Sequence, residues 1–389
     1  MIDIFNKLRK ITTLDLTKIG IAELTGMTIT AIFWFYLAFL LNSDEYGRIS
    51  YFISIASIAS IVCLLGFENT LRVYRAKGVE IQSTIFFISI ISSLISSVVI
   101  FILFYNVGVS SLIIGYVVVG LASSEFLGRK LFVTYSKTLI INRILYATLP
   151  LMGYYIIGID GVMIGFAIAN VPYAFTIYHG IRNSKIDFRS LKPFKNFILN
   201  NSILQILGST YKSGDKLLIG AMLGFVSLGN YYLAIQFYTV LMIIPSIIYR
   251  YLLPYDATGN PNIKLKKITL IIAILTSISG LFLSPLIIPY LFPKYDEAVQ
   301  IIQILSLNVF PGTICLIIYS KFLGNENSKV VMIAYGIQAV TQLSCIFVFG
   351  NMFGILGISV AYILGTSAQA LYLIQKTNYR LPNIFRKRP

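Results

Sequence analysis

Long apolar stretches separated by short polar segments run the whole length of the chain. A helix needs about 20 apolar residues to cross the hydrocarbon core of a bilayer, so each stretch can be counted as a candidate span. Residues 81–124 and 330–375 carry no charge, and each is long enough for two crossings around a turn-like sequence. The pattern predicts twelve spans, at residues 20–41, 49–67, 84–105, 110–128, 138–158, 161–179, 197–221, 228–250, 268–291, 298–320, 329–349 and 354–375.

The basic residues between these spans predict the orientation of the chain. Short cytoplasmic loops carry an excess of Lys and Arg. If both termini are cytoplasmic, 26 of the 31 basic residues fall on the inner side, and Arg48 and Lys294 fall on the outer side. The remaining three, Arg143, Lys212 and Lys216, fall inside predicted spans. The net charge of +16 is therefore mostly a topology signal, which attraction to anionic lipid of the inner leaflet would reinforce.

Composition agrees with a multi-pass protein of the cell membrane. Only 12% of residues are charged and 57% are hydrophobic, whereas about a quarter of residues are charged in a soluble domain. A nucleic-acid partner is not expected, because the basic residues are scattered between apolar segments and form no contiguous patch. Cys63, Cys315 and Cys345 all lie in apolar runs without metal-ligand spacing, so no cofactor, metal site or disulfide is expected.

An offset of 182 residues places the first predicted span on the seventh. Ile21, Gly26, Thr28 and Gly47 then coincide with identical residues. The shift covers six spans, an even number, so the two halves would have the same orientation. The sequence thus predicts an all-α membrane protein of two parallel-related six-helix bundles, the alternative being chance coincidence among apolar helices. Its predicted segments are an amphipathic N-terminal segment (1–18), a first bundle (19–181), a basic cytoplasmic linker (182–196), a second bundle (197–376) and a basic tail (377–389).

Polar residues inside span seven form the main candidate site. On a helix they fall within about 120° of one another and make one stripe. Ionisable residues at membrane depth usually face a cavity or a protein interior. Two interpretations remain open: the stripe lines a cavity with cations for an anionic group, or Asp215 pairs with Lys212 and only holds the helix in place. The stripe consists of Asn201, Gln205, Ser209, Lys212, Asp215 and Lys216.

Three further ionisable residues have both a functional and a structural interpretation. Arg143, in the cytoplasmic half of span five, adds a cation to the cavity if it points inward, or else extends to the headgroups. Glu23 occupies the position of Gln205 in the other half and can be a cavity residue or an interfacial carboxylate. Glu125 precedes Arg129 by four residues, which favours a local ion pair. The candidate substrate-binding residues are Glu23, Arg143, Gln205, Lys212, Asp215 and Lys216.

Four short segments resemble the multidrug/oligosaccharidyl-lipid/polysaccharide exporter superfamily, and within it the Wzx-type polysaccharide flippases. They are Asp44-Glu-Tyr-Gly-Arg-Ile-Ser-Tyr51, Leu65-Gly-Phe-Glu-Asn-Thr-Leu-Arg72, Gly214-Asp-Lys-Leu-Leu-Ile-Gly220 and Leu228-Gly-Asn-Tyr-Tyr232. The resemblance covers nearly the whole chain. It implies alternating access and export of a polyprenyl-pyrophosphate-linked oligosaccharide, for O-antigen or a similar polysaccharide. Asp215 and Lys216 match an acidic and basic pair of that family, whereas Arg143 and Lys212 are candidates on physical grounds alone.

The resemblance also implies partners and leaves one alternative within transport. Membrane lipids, a polysaccharide polymerase or glycosyltransferases, and a coupling H⁺ or Na⁺ are implied, although no ion site can be recognised. A multidrug exporter of the same superfamily is the alternative, and it would be expected to hold an acidic cavity for cationic drugs. An enzyme of polysaccharide assembly is disfavoured, since the predicted outer loops are too short for a catalytic segment and the inner carboxylates are not clustered for metal chemistry.

Overall fold

A computed structural model describes residues 2–182, 185–257, 259, 261–325 and 327–377. Side chains are described throughout these ranges except at 2–19, 21, 210–212, 250, 254 and 257. Within the described ranges every regular element is a helix. The amphipathic character of segment 1–18 and most of the basic tail lie outside the described side chains and residues, so both stay predictions.

The helices follow one another with short connections. A 3₁₀ helix, Phe188–Phe194, lies in the predicted basic linker. The α-helices are α1 (Ile2–Leu40), α2 (Ser43–Leu64), α3 (Phe67–Ala76), α4 (Gln82–Phe104), α5 (Val107–Gly128), α6 (Phe132–Ile157), α7 (Ile159–Ala169), α8 (Val171–Arg182), α9 (Lys195–Leu241), α10 (Ile243–Ala257), α11 (Ile263–Leu291), α12 (Ala298–Leu307), α13 (Val309–Gly324) and α14 (Ser328–Thr377).

The prediction of an all-α membrane fold is confirmed. Ten helical stretches of the described chain are long and apolar enough to cross a membrane. Two of the long helices change direction at a glycine with a positive φ: Gly224 (82°) divides α9, and Gly354 (59°) divides α14. These glycines separate predicted spans seven from eight and eleven from twelve. Many large apolar side chains point outward, and Tyr290, Ile156 and Phe282 are 86%, 79% and 72% exposed, as expected of a lipid-facing surface.

Three predicted spans are interrupted just before a proline. Pro172, Pro245 and Pro311 lie in the first turns of α8, α10 and α13, each of which begins after a break. Proline has no backbone N–H to donate, and it is favoured in the first helical turn, where that N–H has no partner in any case. The helical path is therefore interrupted by one residue ahead of each of these prolines, whereas Pro285 lies within the continuous α11.

The short helix α3 was not predicted as a separate element. Leu65 and Gly66 have positive φ values of 49° and 73° and separate α2 from α3. A Cβ at Gly66 would lie 2.5 Å from the backbone nitrogen of Ser202, so the absent side chain permits a close approach of α9. This approach brings the polar face of α3 against the first turns of α9.

The chain forms two compact units whose boundaries follow packing rather than sequence order. The first unit contains the chain up to Leu37 together with Phe52–Ser209, and the second contains Ala38–Tyr51 together with the chain from Thr210 onward. The first turns of α9 thus belong to the first unit and the rest to the second. The segment boundaries predicted from the sequence stay predictions.

Within the second unit, the start of α2 crosses α9 at two glycines. A Cβ at Gly47 would lie 1.9 Å from the carbonyl oxygen of Phe225, and a Cβ at Gly229 would lie 1.8 Å from that of Ser43. Ser43 and Gly47 correspond to Phe225 and Gly229 at the offset of 182 residues found in the sequence. The crossing is therefore reciprocal, as expected where two copies of a repeated element meet.

Candidate functional site

Asp215 and Lys216 lie together in the second unit, before the Gly224 break in α9. Oδ1 of Asp215 accepts hydrogen bonds from the backbone N–H of Lys216 (2.8 Å) and from its Nζ (3.2 Å). Oδ2 accepts a hydrogen bond from the hydroxyl of Tyr231 at 2.8 Å, after the break. The carboxylate is buried, and the Lys216 side chain is 11% exposed. Because a buried charge needs a partner, Asp215 holds the Lys216 ammonium in place and joins the two arms of α9.

The other predicted cation of this stripe, Lys212, has a side chain outside the described residues. Its pairing with Asp215 and its place in a cavity stay predictions. The described partners of Asp215 are its neighbour Lys216 and Tyr231, which is 16 residues away and could not be inferred from helical spacing.

Arg143 lies in the first unit and packs against other helices of that unit. Its side chain is half-buried, and a Cβ at Gly26 of α1 would lie 3.1 Å from its Cγ. Its guanidinium also interacts electrostatically with the phenols of Tyr116 on α5 and Tyr173 on α8. A cation thus lies among tyrosine hydroxyls inside this unit. Glu23 is partly buried, also on α1.

Gln205 and the beginning of the predicted stripe contact α3 in the first unit. Nε2 of Gln205 donates to Oε2 of Glu68 at 3.3 Å, and Nδ2 of Asn69 donates to Oδ1 of Asn201 at 3.0 Å. Burial raises the pKa of the Glu68 carboxyl, and the positive charge of Arg72 partly opposes that shift. Gln205 is therefore a partner of a buried carboxyl that the sequence had suggested was isolated.

Other residues of α3 contact α5 of the same unit. Nε of Arg72 donates to Oγ of Ser124 at 3.1 Å, and Arg75 binds both carboxylate oxygens of Glu125 at 3.0 to 3.2 Å. Arg129 is 3.9 Å from Glu125, so the ion pair predicted from i,i+4 spacing exists but is secondary. The stronger partner, Arg75, lies 50 residues earlier, and only the packing of α3 on α5 brings it close.

The second unit contains a buried ion pair that the sequence did not reveal. Nζ of Lys266 on α11 donates to both oxygens of Asp256 at 2.7 Å, and both side chains are 2% exposed. The hydroxyl of Ser320 on α13 also donates to Oδ2 of Asp256. The predicted spans leave Asp256 and Lys266 in an inner loop, because the sequence shows neither the burial of Lys266 nor the approach of α13.

Of the six predicted site residues, the structure joins Asp215 with Lys216. Gln205, Arg143 and Glu23 lie in the first unit, and Gln205 bonds Glu68. In the described part of the chain, no group of three or more His, Cys, Asp or Glu side chains could hold a metal ion. The arrangement offers paired and half-buried cations and buried carboxyls, which suit anion binding and charge-linked conformational change.

No protein-family model and no curated protein matches this sequence. Solved structures do match. The lipid II flippase MurJ, in an inward closed conformation, matches with a TM-score of 0.76 and 16% identity over 93% of this chain and 87% of that one. An inward-facing multidrug resistance MATE family transporter of the MOP superfamily matches with a TM-score of 0.66 and 13% identity over 95% of this chain and 98% of that one.

A third match is a MOP superfamily transporter from Pyrococcus furiosus, in which a binding pocket of reverse polarity suggests a different function. Its TM-score is 0.59 and its identity 14%, over 96% of each chain. The chain has the MOP transporter fold. It is a multi-pass membrane protein, and the structures it resembles are transporters and flippases rather than enzymes. Because the identities are only 13 to 16%, these structural matches establish the fold and not a substrate.

Proposed function

We propose that this chain is a flippase of the cell membrane, which moves a polyprenyl-pyrophosphate-linked oligosaccharide outward by alternating access. The observation that carries the proposal is the likeness of nearly the whole chain to a lipid II flippase, at a TM-score of 0.76. That neighbour is named for a lipid-linked substrate. A polysaccharide precursor of the Wzx type is the narrower version of the proposal and rests on the four sequence segments.

The intramembrane cations support a pyrophosphate-bearing substrate. Pyrophosphate is the constant anionic part of such lipids, and Lys and Arg donors pair well with phosphate oxygens. Lys216 is held by Asp215 but keeps part of its side chain accessible, and Arg143 is half-buried. In this proposal the substrate is bound in the course of the cycle by Lys216, Lys212 and Arg143. The charge around these cations is set by Asp215, Gln205 and Glu23. A polymerase or glycosyltransferase partner and an H⁺ or Na⁺ gradient complete the proposal.

A MATE-like multidrug exporter is the second candidate. MATE structures match 95% of this chain, although with lower TM-scores of 0.59 to 0.66. Pocket polarity separates the two candidates, because a transporter of cationic drugs benefits from carboxylates and one of pyrophosphates from cations.

Flipping can be measured on the purified protein in liposomes that contain a labelled polyprenyl-pyrophosphate oligosaccharide. The expected result is protein-dependent transfer of the labelled lipid between leaflets. In cells, deletion of the gene should cause loss of surface polysaccharide and accumulation of the inner-leaflet precursor. Lys216→Ala and Lys212→Ala should impair transfer while leaving membrane insertion intact, and Lys264→Ala, an exposed residue at the start of α11, is the matched control. Unchanged polysaccharide with altered drug tolerance would favour the multidrug exporter.

A further inference from the structure

A polar cavity of about 530 Å³ lies within the first unit, and none of the residues proposed above for transport lines it. It is enclosed by the end of α3, the start of α4, the end of α5, the start of α6 and the length of α8. Its charged and titratable lining consists of Arg75, Glu80, Glu125, Arg129 and His179. All these elements meet at the end of the unit that the sequence predicts to be cytoplasmic.

The charges around this cavity are of two kinds. Arg75 and Glu125 neutralise each other through a buried ion pair with side chains 12% and 6% exposed. Arg129 is 54% exposed, and its contact with Glu125 is long, 3.9 Å from Nε to Oε1. Most of its guanidinium therefore remains available. Glu80 and His179 are also exposed. Because Arg75 and Glu125 neutralise each other, the cavity presents the Arg129 cation, the His179 imidazole and the Glu80 carboxylate.

The cavity also adjoins the lipid-facing surface. Phe175 lines it and is 69% exposed, and Val171 and Tyr178 on the same helix are each 60% exposed. Helix α8 belongs to an apolar stretch long enough to span the membrane, so acyl chains can contact this exposed face. A ligand with an apolar tail beside α8 and a charged head in the cavity would meet both surfaces.

We propose that this cavity binds the headgroup of a zwitterionic aminophospholipid. Its phosphodiester is bound by Arg129 and His179, its ammonium by Glu80, and its acyl chains follow Phe175 along α8. Arg is well suited to phosphate oxygens, and basic pockets between helices at the inner membrane surface hold lipid headgroups. The carboxylate is what distinguishes this cavity from a site for a purely anionic lipid.

The proposal is tested by thermal unfolding of the full chain in mixed micelles. Trp34, the single tryptophan, is buried and reports unfolding. Phosphatidylethanolamine should raise the unfolding midpoint of the wild type more than phosphatidylglycerol or phosphatidylcholine does. Arg129→Gln should abolish that shift, whereas Lys264→Gln should retain it. Glu80→Gln should remove the preference for phosphatidylethanolamine over phosphatidylglycerol while leaving a shift with both.

Three results would overturn the proposal. They are an undiminished lipid shift in Arg129→Gln, a preference for phosphatidylethanolamine that survives Glu80→Gln, and an equal shift with soluble phosphoethanolamine, which would point to a free phosphate ligand. If Arg129→Gln is unstable without lipid, His179→Gln gives the same comparison at an exposed residue. Failure of flipping would leave this test unaffected, because it measures lipid binding alone.

Discussion

Asp215 is the residue at which structural and transport roles can be separated. Asp215→Asn leaves the Lys216 ammonium without its carboxylate, so the free energy of unfolding should fall by about 3 kcal/mol. Tyr231→Phe removes one hydrogen bond to the same carboxylate and should cost about 1 kcal/mol. The measurement is thermal unfolding in detergent, together with flipping below the unfolding midpoint.

The double variant Asp215→Asn, Lys216→Gln is the control for this pair. It should be more stable than Asp215→Asn alone, because the two residues are coupled and the ammonium that lost its carboxylate is gone. An Asp215→Asn protein with wild-type stability but no flipping would contradict the structural role and assign the carboxylate to transport.

Glu68 should make stability depend on pH. Burial raises the pKa of its carboxyl, so the folded state favours the protonated acid. The stability linked to this group is complete below its unfolded pKa of about 4.3 and is lost as the pH rises through the folded value. Glu68→Gln, a mimic of the acid, should therefore unfold at a higher temperature than the wild type at pH 7, and the difference should shrink in acid.

Unfolding midpoints of both proteins in detergent without added lipid, across this pH range, provide the measurement, with the exposed Glu80→Gln as control. If Glu68→Gln is less stable than the wild type at every pH, the attraction between the Glu68 carboxylate and Arg72 outweighs the cost of burying that carboxylate.

Helical spacing predicted which residues share a face, but not what that face contacts. Asn201 and Gln205 on α9 contact Asn69 and Glu68, which lie more than 130 residues earlier. Long-range partners of this kind depend on tertiary packing, which the helical periodicity of a local segment does not predict. The sequence signal for these partners was the segment Leu65–Arg72, which carries four of the polar residues of α3.

At the scale of helices, the apolar pattern located the spans well and their interruptions poorly. The limits of α11 and α14 lie close to the predicted spans, because charge-free stretches have sharp ends. The interruptions at Asn170 and Asn308, ahead of Pro172 and Pro311, lie inside predicted spans. Whether a proline bends a helix or begins a new one depends on the partners of the freed carbonyls, which tertiary packing supplies.

The crossing of α2 and α9 predicts a strict requirement for glycine. Gly229→Ala would place a Cβ 1.8 Å from the carbonyl oxygen of Ser43, and Gly47→Ala would make a similar clash with Phe225. Both are backbone contacts that cannot rotate away, so each variant should be destabilised by about 1–3 kcal/mol or more. The yield of folded protein and its unfolding midpoint provide the measurement.

Gly208→Ala is the matched control for this crossing. Nothing lies within 4 Å of a Cβ at that position of α9, and the substitution improves helix propensity, so stability should be unchanged or slightly raised. Wild-type stability of both Gly47→Ala and Gly229→Ala would show that the two helices are not in the close contact described.

At the scale of the whole molecule, the repeat inferred from scattered identities has a physical counterpart. Chance identities in apolar helices would not place Ser43 and Gly47 opposite Phe225 and Gly229, their own equivalents. The sequence could reveal the offset but not this contact, because a repeat predicts similar structures rather than how their elements meet. The buried ion pairs of the two units differ: Arg75 pairs with Glu125 in the first unit, and Lys266 pairs with Asp256 in the second.

The orientation of the molecule gives the last prediction, because it rests on the charge bias alone. Placing 26 basic residues on the inner side and two on the outer side requires Arg189, in the 3₁₀ helix, to be cytoplasmic and Asp296, between α11 and α12, to be external. Both are exposed, so each can be replaced by cysteine after Cys63, Cys315 and Cys345 are changed to alanine. A membrane-impermeant maleimide should label Asp296→Cys in intact cells and Arg189→Cys only after permeabilisation. The reverse labelling would show that the predicted topology is inverted, and it would contradict the direction of export proposed for this chain.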